Sequence, residues 1–205
     1  MTAKSHWEAV YAKQAPNEAS WYQANPECSL ALLDAAGATR DTRIVDVGGG
    51  ASRLVDCLLD RGFTDLTVLD IAQGALARAQ ERLGDRARAV RWIEADVTRF
   101  EPSERREIWH DRAVFHFLTA ARDRAAYRRT MIDSLVPGGH AIIATFGPQG
   151  PTRCSDLDVV RYSPADLLAA LGPGWELVTE REELHRTPGG VEQQFVYGLF
   201  RRSKE

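Results

Sequence analysis

The chain has 205 residues, 44% hydrophobic and 27% charged, with a formal net charge of −3. That length favours one domain that buries its core without disulfides. The charge excludes long-range attraction of polyanions, and no apolar run approaches the roughly 20 residues that cross a bilayer.

The opening stretch MTAKSHWEAVYAK carries no apolar secretory core. Cys28, Cys57 and Cys154 form no CxxC pair. A reducing, cytoplasmic setting and no metal site are expected.

Residues 1–40 show short helical patterns with aromatic clusters at Trp7, Tyr11 and Trp21-Tyr22. From residue 43 strand and helix patterns alternate. RIVDV reads as a buried strand. SRLVDCLLDRG follows as a helix, with Ser52 as its cap and Gly62 as its stop. DLTVLD and AVRWIEAD read as strands on either side of the helical AQGALARAQERLGD. REIWHD is a short fourth strand. DRAAYRRTMIDSLV spaces Tyr127, Met131 and Leu135 along one helical stripe, and PGG turns the chain into the strand HAIIATF.

Arginines from Arg105 to Arg129 make a basic stretch. They do not alternate with aromatics as a single-strand nucleic-acid groove requires, so a solvated helical face and no nucleic-acid partner are expected. SPADLLAALG opens a helix with Ser163 at the cap and Pro164 at the first turn. WELVTERE and VEQQFVYGLF flank the turn RTPGGV and read as an antiparallel pair. The pattern predicts an open, mostly parallel sheet covered on both faces.

The stretch VDVGGGAS places three glycines after a strand that carries Asp46. Glycines there let backbone approach a ligand closely. A dinucleotide fingerprint needs a third glycine where Arg53 stands, and a carboxylate at Asp46 repels a diphosphate. The loop instead suits a ligand that offers positive charge, such as an amino acid moiety. Asp70 ends the second strand, where an acid accepts ribose hydroxyls, and Asp96 ends the third, where it could accept from an adenine amino group. Each of these acids is also suited to cap the next helix.

VDVGGGAS, VLDI, EADV and LVPGGHAIIATF, in this order, resemble the motifs of the class I S-adenosylmethionine-dependent methyltransferases. The resemblance implies a three-layer α/β sandwich. Its seven-stranded sheet is mostly parallel with the last strand antiparallel, has helices on both faces, and lies under an N-terminal helical cap. It implies one domain: a cap over 1–40, a cofactor core over 41–147, and a substrate-side loop, helix and hairpin over 148–205. S-adenosylmethionine is then held by Asp46, Gly48 and Gly50 at its methionine part, Asp70 at the ribose, and Asp96 and Val97 at the adenine, with Ile71 also in the cofactor set. Trp109 completes the cofactor set.

The segment WHDRAVFHFL borders the methyl group in that family. His110 and His116 are therefore candidates for a general base or for orienting substrate, and Asp111 either orients one of them or caps a helix. The loop 147–164 resembles a substrate-pocket wall, with Cys154, Arg161 and Tyr162 as its binding-capable side chains. Trp21 and Tyr22 lie in a segment similar to the caps of thiol, halide and thiopurine methyltransferases, and their aromatic faces suit a sulfonium. The expected acceptor is a small-molecule thiol, amine or hydroxyl. A protein lysine and a catalytically silent binding module stand as alternatives. No membrane partner is expected.

Overall fold

The computed structural model describes residues 2–13 and 15–204. Its α-helices are α1 (Ala3–Lys13), α2 (Glu27–Ala35), α3 (Leu54–Asp60), α4 (Gln73–Leu83), α5 (Ala121–Ser134) and α6 (Pro164–Leu171). Its strands are β1 (Ile44–Val47), β2 (Leu66–Asp70), β3 (Val90–Glu94), β4 (Arg106–Arg112), β5 (Leu135–Phe146), β6 (Arg153–Cys154), β7 (Leu157–Asp158), β8 (Trp175–Arg186) and β9 (Glu192–Arg202). No helix among the described residues is long and apolar enough to cross a membrane.

Seven strands form one sheet in the order β3-β2-β1-β4-β5-β9-β8. β9 runs antiparallel to both neighbours, and the pairings from β3 to β5 are parallel. The inner strands are apolar on both sides because helices cover both faces. Leu30, Leu33, Leu54, Leu58 and Leu76 from α2, α3 and α4 pack with Ile44, Ile108 and Ile142 on one face. Tyr127, Met131, Leu167 and Leu171 from α5 and α6 pack with Val45, Val47, Trp109 and Ile143 on the other.

The expected architecture is present, with shifted boundaries. α3 starts at Leu54, two residues after Ser52, whose hydroxyl accepts from the Leu54 N–H at 3.1 Å. Ser163 caps α6 in a reciprocal capping box with Asp166. The strand expected from His140 begins at Leu135, because Leu135 already pairs with Arg106. The loop 147–164 carries the small β6–β7 hairpin.

Strand order reverses between β1 and β4, where chain connections leave in opposite directions and open a crevice at the carboxyl ends. Asp46 and His110 sit directly across from each other at that point.

Candidate active site

The glycine loop is shaped by its two acids. Gly48 and Gly50 have φ of +65° and +36°, a left-handed region that strains side-chain-bearing residues. A Cβ on Gly49 would lie 2.5 Å from Asp46 Oδ2, and one on Gly50 would lie 2.6 Å from Asp70 Oδ2. Bare backbone is what lets both carboxylates approach the loop.

Asp46 is almost fully buried. Its Oδ1 meets His110 Nδ1 at 2.7 Å, and His110 Nε2 meets Ser29 Oγ at 2.8 Å. A carboxylate only accepts, so Nδ1–H donates to Asp46 and, in the neutral ring, Nε2 accepts the Ser29 hydroxyl. Asp46 Oδ2 is buried with no hydrogen-bond partner among the described residues. The cleft over this trio is lined by Tyr11, Trp21, Tyr22, Gln23, Gly48 and Arg112, among others. The two aromatic residues assigned to the cap, Trp21 and Tyr22, thus face the glycine loop across one cleft. Trp21 packs edge-on against Trp7 and Tyr11, with ring centroids 5.9 and 6.0 Å apart.

Asp70 lies at the end of the cleft nearest α1. Asp70 is buried at the end of β2, and its Oδ1 accepts from the Ala72 N–H at 2.8 Å. Burial, reinforced by Asp46 and Glu8, pushes its carboxyl up to about 7 despite that bond. Glu8 of α1 accepts from the Gln73 and Gly74 N–H groups at 2.7 and 3.1 Å, docking the cap on the start of α4. Ile71 continues from Asp70 and is half-buried. Asp96 folds back on its own turn, accepting from the Thr98 N–H and hydroxyl at 2.9 and 2.7 Å. Val97 packs into the buried apolar cluster on the α5–α6 face.

Several side chains singled out in the sequence lie elsewhere. Trp109 does not reach the cleft: it points to the α5 face, fully buried, and donates to Tyr127 at 2.8 Å. Strand alternation sends it opposite to His110. His116 is enclosed in the core between Phe117 and Phe146. Its Nδ1 accepts from the Phe146 N–H at 3.3 Å, and burial pulls its pKa down to about 3. A general base needs a free lone pair at neutral pH, and His116 has spent its own on the backbone.

Asp111 caps the turn after β4, accepting from the Val114 and Phe115 N–H groups at 2.8 and 3.1 Å. Arg161 donates to the Pro148 and Gly150 carbonyls at 2.7 and 3.3 Å, tying together its own loop, and it does not line the cleft. Tyr162 is buried against Phe115 on the α5–α6 face, away from the cleft. Cys154 is partly buried, and burial raises its thiol pKa, so a thiolate is disfavoured there.

Ser29 and Arg112 enter the site without a sequence assignment. Arg112 was legible: it stands two residues after His110 on a strand, hence on the same face. Ser29 was not, because only folding brings α2 over β4.

A family model described as a methyltransferase domain matches residues 44–139. The malonyl-[acyl-carrier protein] O-methyltransferase of Anoxybacillus flavithermus is 27% identical over 153 residues, which cover 73% of this chain and 57% of that protein. The chain thus spans little more than half the length of that curated relative. A structure solved for the conversion of a disulfide bond into a thioacetal group during echinomycin biosynthesis superposes with a TM-score of 0.80 at 19% identity, over 100% of this chain and 93% of that one. The N-methyltransferase NodS of Bradyrhizobium japonicum WM9, bound to S-adenosylhomocysteine, gives 0.71 at 18% identity over 95% and 97% of the two chains. These structural likenesses speak for the fold. Residues 44–139 thus match a methyltransferase domain, and the fold around them, with the motif order in β1 to β5, is the one these structures share.

Proposed function

We propose that this chain methylates a small-molecule nucleophile, using S-adenosylmethionine as the methyl donor. The observation that carries this reading is the unpaired, buried Asp46 Oδ2 beside a glycine loop that no side chain could occupy. A buried carboxylate oxygen without a partner costs stability until a donor reaches it, and an α-ammonium group is such a donor. Asp46, Gly48 and Gly50 would hold the methionine part, Asp70 the ribose, and Asp96 and Val97 the adenine, with Ile71 beside them.

When bound, the donor supplies a sulfonium methyl that is itself the electrophile. The protein's part is to align the nucleophile and exclude water. Trp21 and Tyr22 suit a sulfonium as aromatic faces that attract a cation. His110 is assigned to the proton side of the site, reached through the Ser29 hydroxyl that occupies its Nε2. We read the chain as one domain, with 1–40 as the cap, 41–147 as the cofactor core and 148–205 as the substrate side.

The cap aromatics over the cleft favour a small acceptor over a protein side chain. The similar proteins named above include an O-methyltransferase and an N-methyltransferase, and a further structural relative is the 1,6-didemethyltoxoflavin-N1-methyltransferase of Burkholderia thailandensis. Oxygen and nitrogen acceptors therefore head the screen. Calorimetric titration should show S-adenosylhomocysteine binding and NAD not binding; the reverse ranking ends this reading. A labelled-methyl screen over amines, phenols, carboxylates, thiols and halides then identifies the acceptor.

A further inference from the structure

Arg112, the last residue of β4, has a side chain that is nine-tenths buried. Its Nε donates to the Tyr197 hydroxyl at 2.8 Å, its Nη1 donates to the Trp21 carbonyl at 3.0 Å, and the guanidinium lies 4.2 Å from the centroid of the Phe195 ring. Three contacts, two from β9 and one from the Trp21 backbone, fix the plane of the fork. Its Nη2 is buried and makes no hydrogen bond among the described residues.

The nearest carboxylate does not fill that vacancy. Glu183 Oε2 stands 3.6 Å from Nη2, beyond hydrogen-bond reach. Its oxygens are engaged elsewhere, Oε1 by Gln23 at 2.7 Å and Oε2 by Tyr197 at 2.6 Å. Glu183 thus balances the charge of Arg112 without satisfying its N–H groups. Arg112 and Asp46 line the same cleft, and each leaves one buried atom unpaired, a donor in one and an acceptor in the other.

We propose that Arg112 is the carboxylate receptor of the cleft. A guanidinium held in plane, with free N–H groups on a buried Nη2, matches carboxylate geometry and gains more there than at a surface. Two ligands could carry that carboxylate: the methionine end of the donor, whose ammonium would meet Asp46, or the methyl acceptor. The first source rests on the function proposed above; the arginine's chemistry does not.

Calorimetry on the full chain separates the sources. In the first arm, S-adenosylhomocysteine and its decarboxylated form are titrated into wild type and Arg112→Gln. In the second, acetate, benzoate and malonate are compared with their amides on wild type and Arg112→Gln, each with and without S-adenosylhomocysteine. A carboxylate preference of about 10- to 100-fold, the scale of a charged hydrogen bond, is expected in one arm and should vanish in Arg112→Gln.

Loss in the first arm names the donor as the source, and loss in the second names the acceptor. If wild type shows no carboxylate preference in either arm, the proposal is overturned. A preference that survives Arg112→Gln overturns it as well. If S-adenosylhomocysteine does not bind wild type at all, the methyltransferase reading falls, while the second arm still judges the arginine. Arg112→Lys keeps the charge and should retain part of the preference. The wild-type comparisons need no variant, so a poorly folding Arg112→Gln leaves the proposal open to refutation.

Discussion

Strand β4 carries two faces in opposite hydrogen-bonding states. On the α5 side, Trp109 donates to Tyr127, Tyr127 donates to Asp111 at 2.5 Å, and Asp111 also caps two backbone N–H groups. On the α2 side, His110 bridges Asp46 and Ser29, yet Asp46 Oδ2 and Arg112 Nη2 remain unpaired. Adjacent residues on one strand thus divide between a closed network and an open one. A polar network that satisfies all its members rigidifies the fold. One that leaves buried charges unpaired retains free energy for a ligand to release.

The largest expected effect breaks the closed face. Asp111→Ala removes the acceptor for three donors at once, two of them in buried bonds, and should cost about 3–5 kcal/mol, the scale of breaking a buried charged network. Denaturant unfolding checks it, and a loss below about 1 kcal/mol would mean the network is no more than a surface contact. Next comes His116→Ala, which strands the Phe146 N–H and opens a hole between Phe117 and Phe146. It should lower stability by about 2–3 kcal/mol and leave the affinity for S-adenosylhomocysteine nearly intact. Turnover loss without stability loss would return His116 to the active site.

On the open face, Asp70→Ala should weaken S-adenosylhomocysteine binding by about 1–3 kcal/mol, read by calorimetry. The same residue gives a pH signature. Burial raises its carboxyl to about 7, so the folded protein holds this proton more tightly than the unfolded chain does. Its contribution to stability therefore falls as pH rises from the usual carboxylate range toward 7. Asp70→Asn should match wild type in melting temperature at about pH 3.5 and exceed it increasingly up to about pH 8. Cofactor affinity should move the other way in wild type, rising through about pH 7 as the carboxylate ionises, and a flat profile would remove Asp70 from the site. Smallest is Ser29→Ala, which leaves His110 Nε2 without its hydroxyl and should cost about 1 kcal/mol of stability. Its discriminating readout is the pH profile of turnover, which shifts only if Ser29 and His110 handle a proton together.

Much of the fold was legible because the signals are local. The alternation of apolar strands and capped helices, the glycine run after β1 and the RTPGGV turn depend on neighbours within a few residues. Asp46, Gly48, Gly50 and Asp70 were readable for the same reason, since strand ends and bare backbone announce themselves in chain order. His110 and His116 are alike in composition and six residues apart, and only their surroundings separate a cleft histidine from a core one.

The sequence by itself determined the sheet, its helices and the acids at its carboxyl ends, since period-2 and period-3.6 patterns encode which side each residue faces. The tertiary structure alone decided which polar atoms find partners. Ser29 meets His110 across 81 positions, and Arg112 meets Tyr197 across 85. Hydrogen bonds are short and directional, so whether a buried group is satisfied depends on contacts that exist only once distant segments have packed.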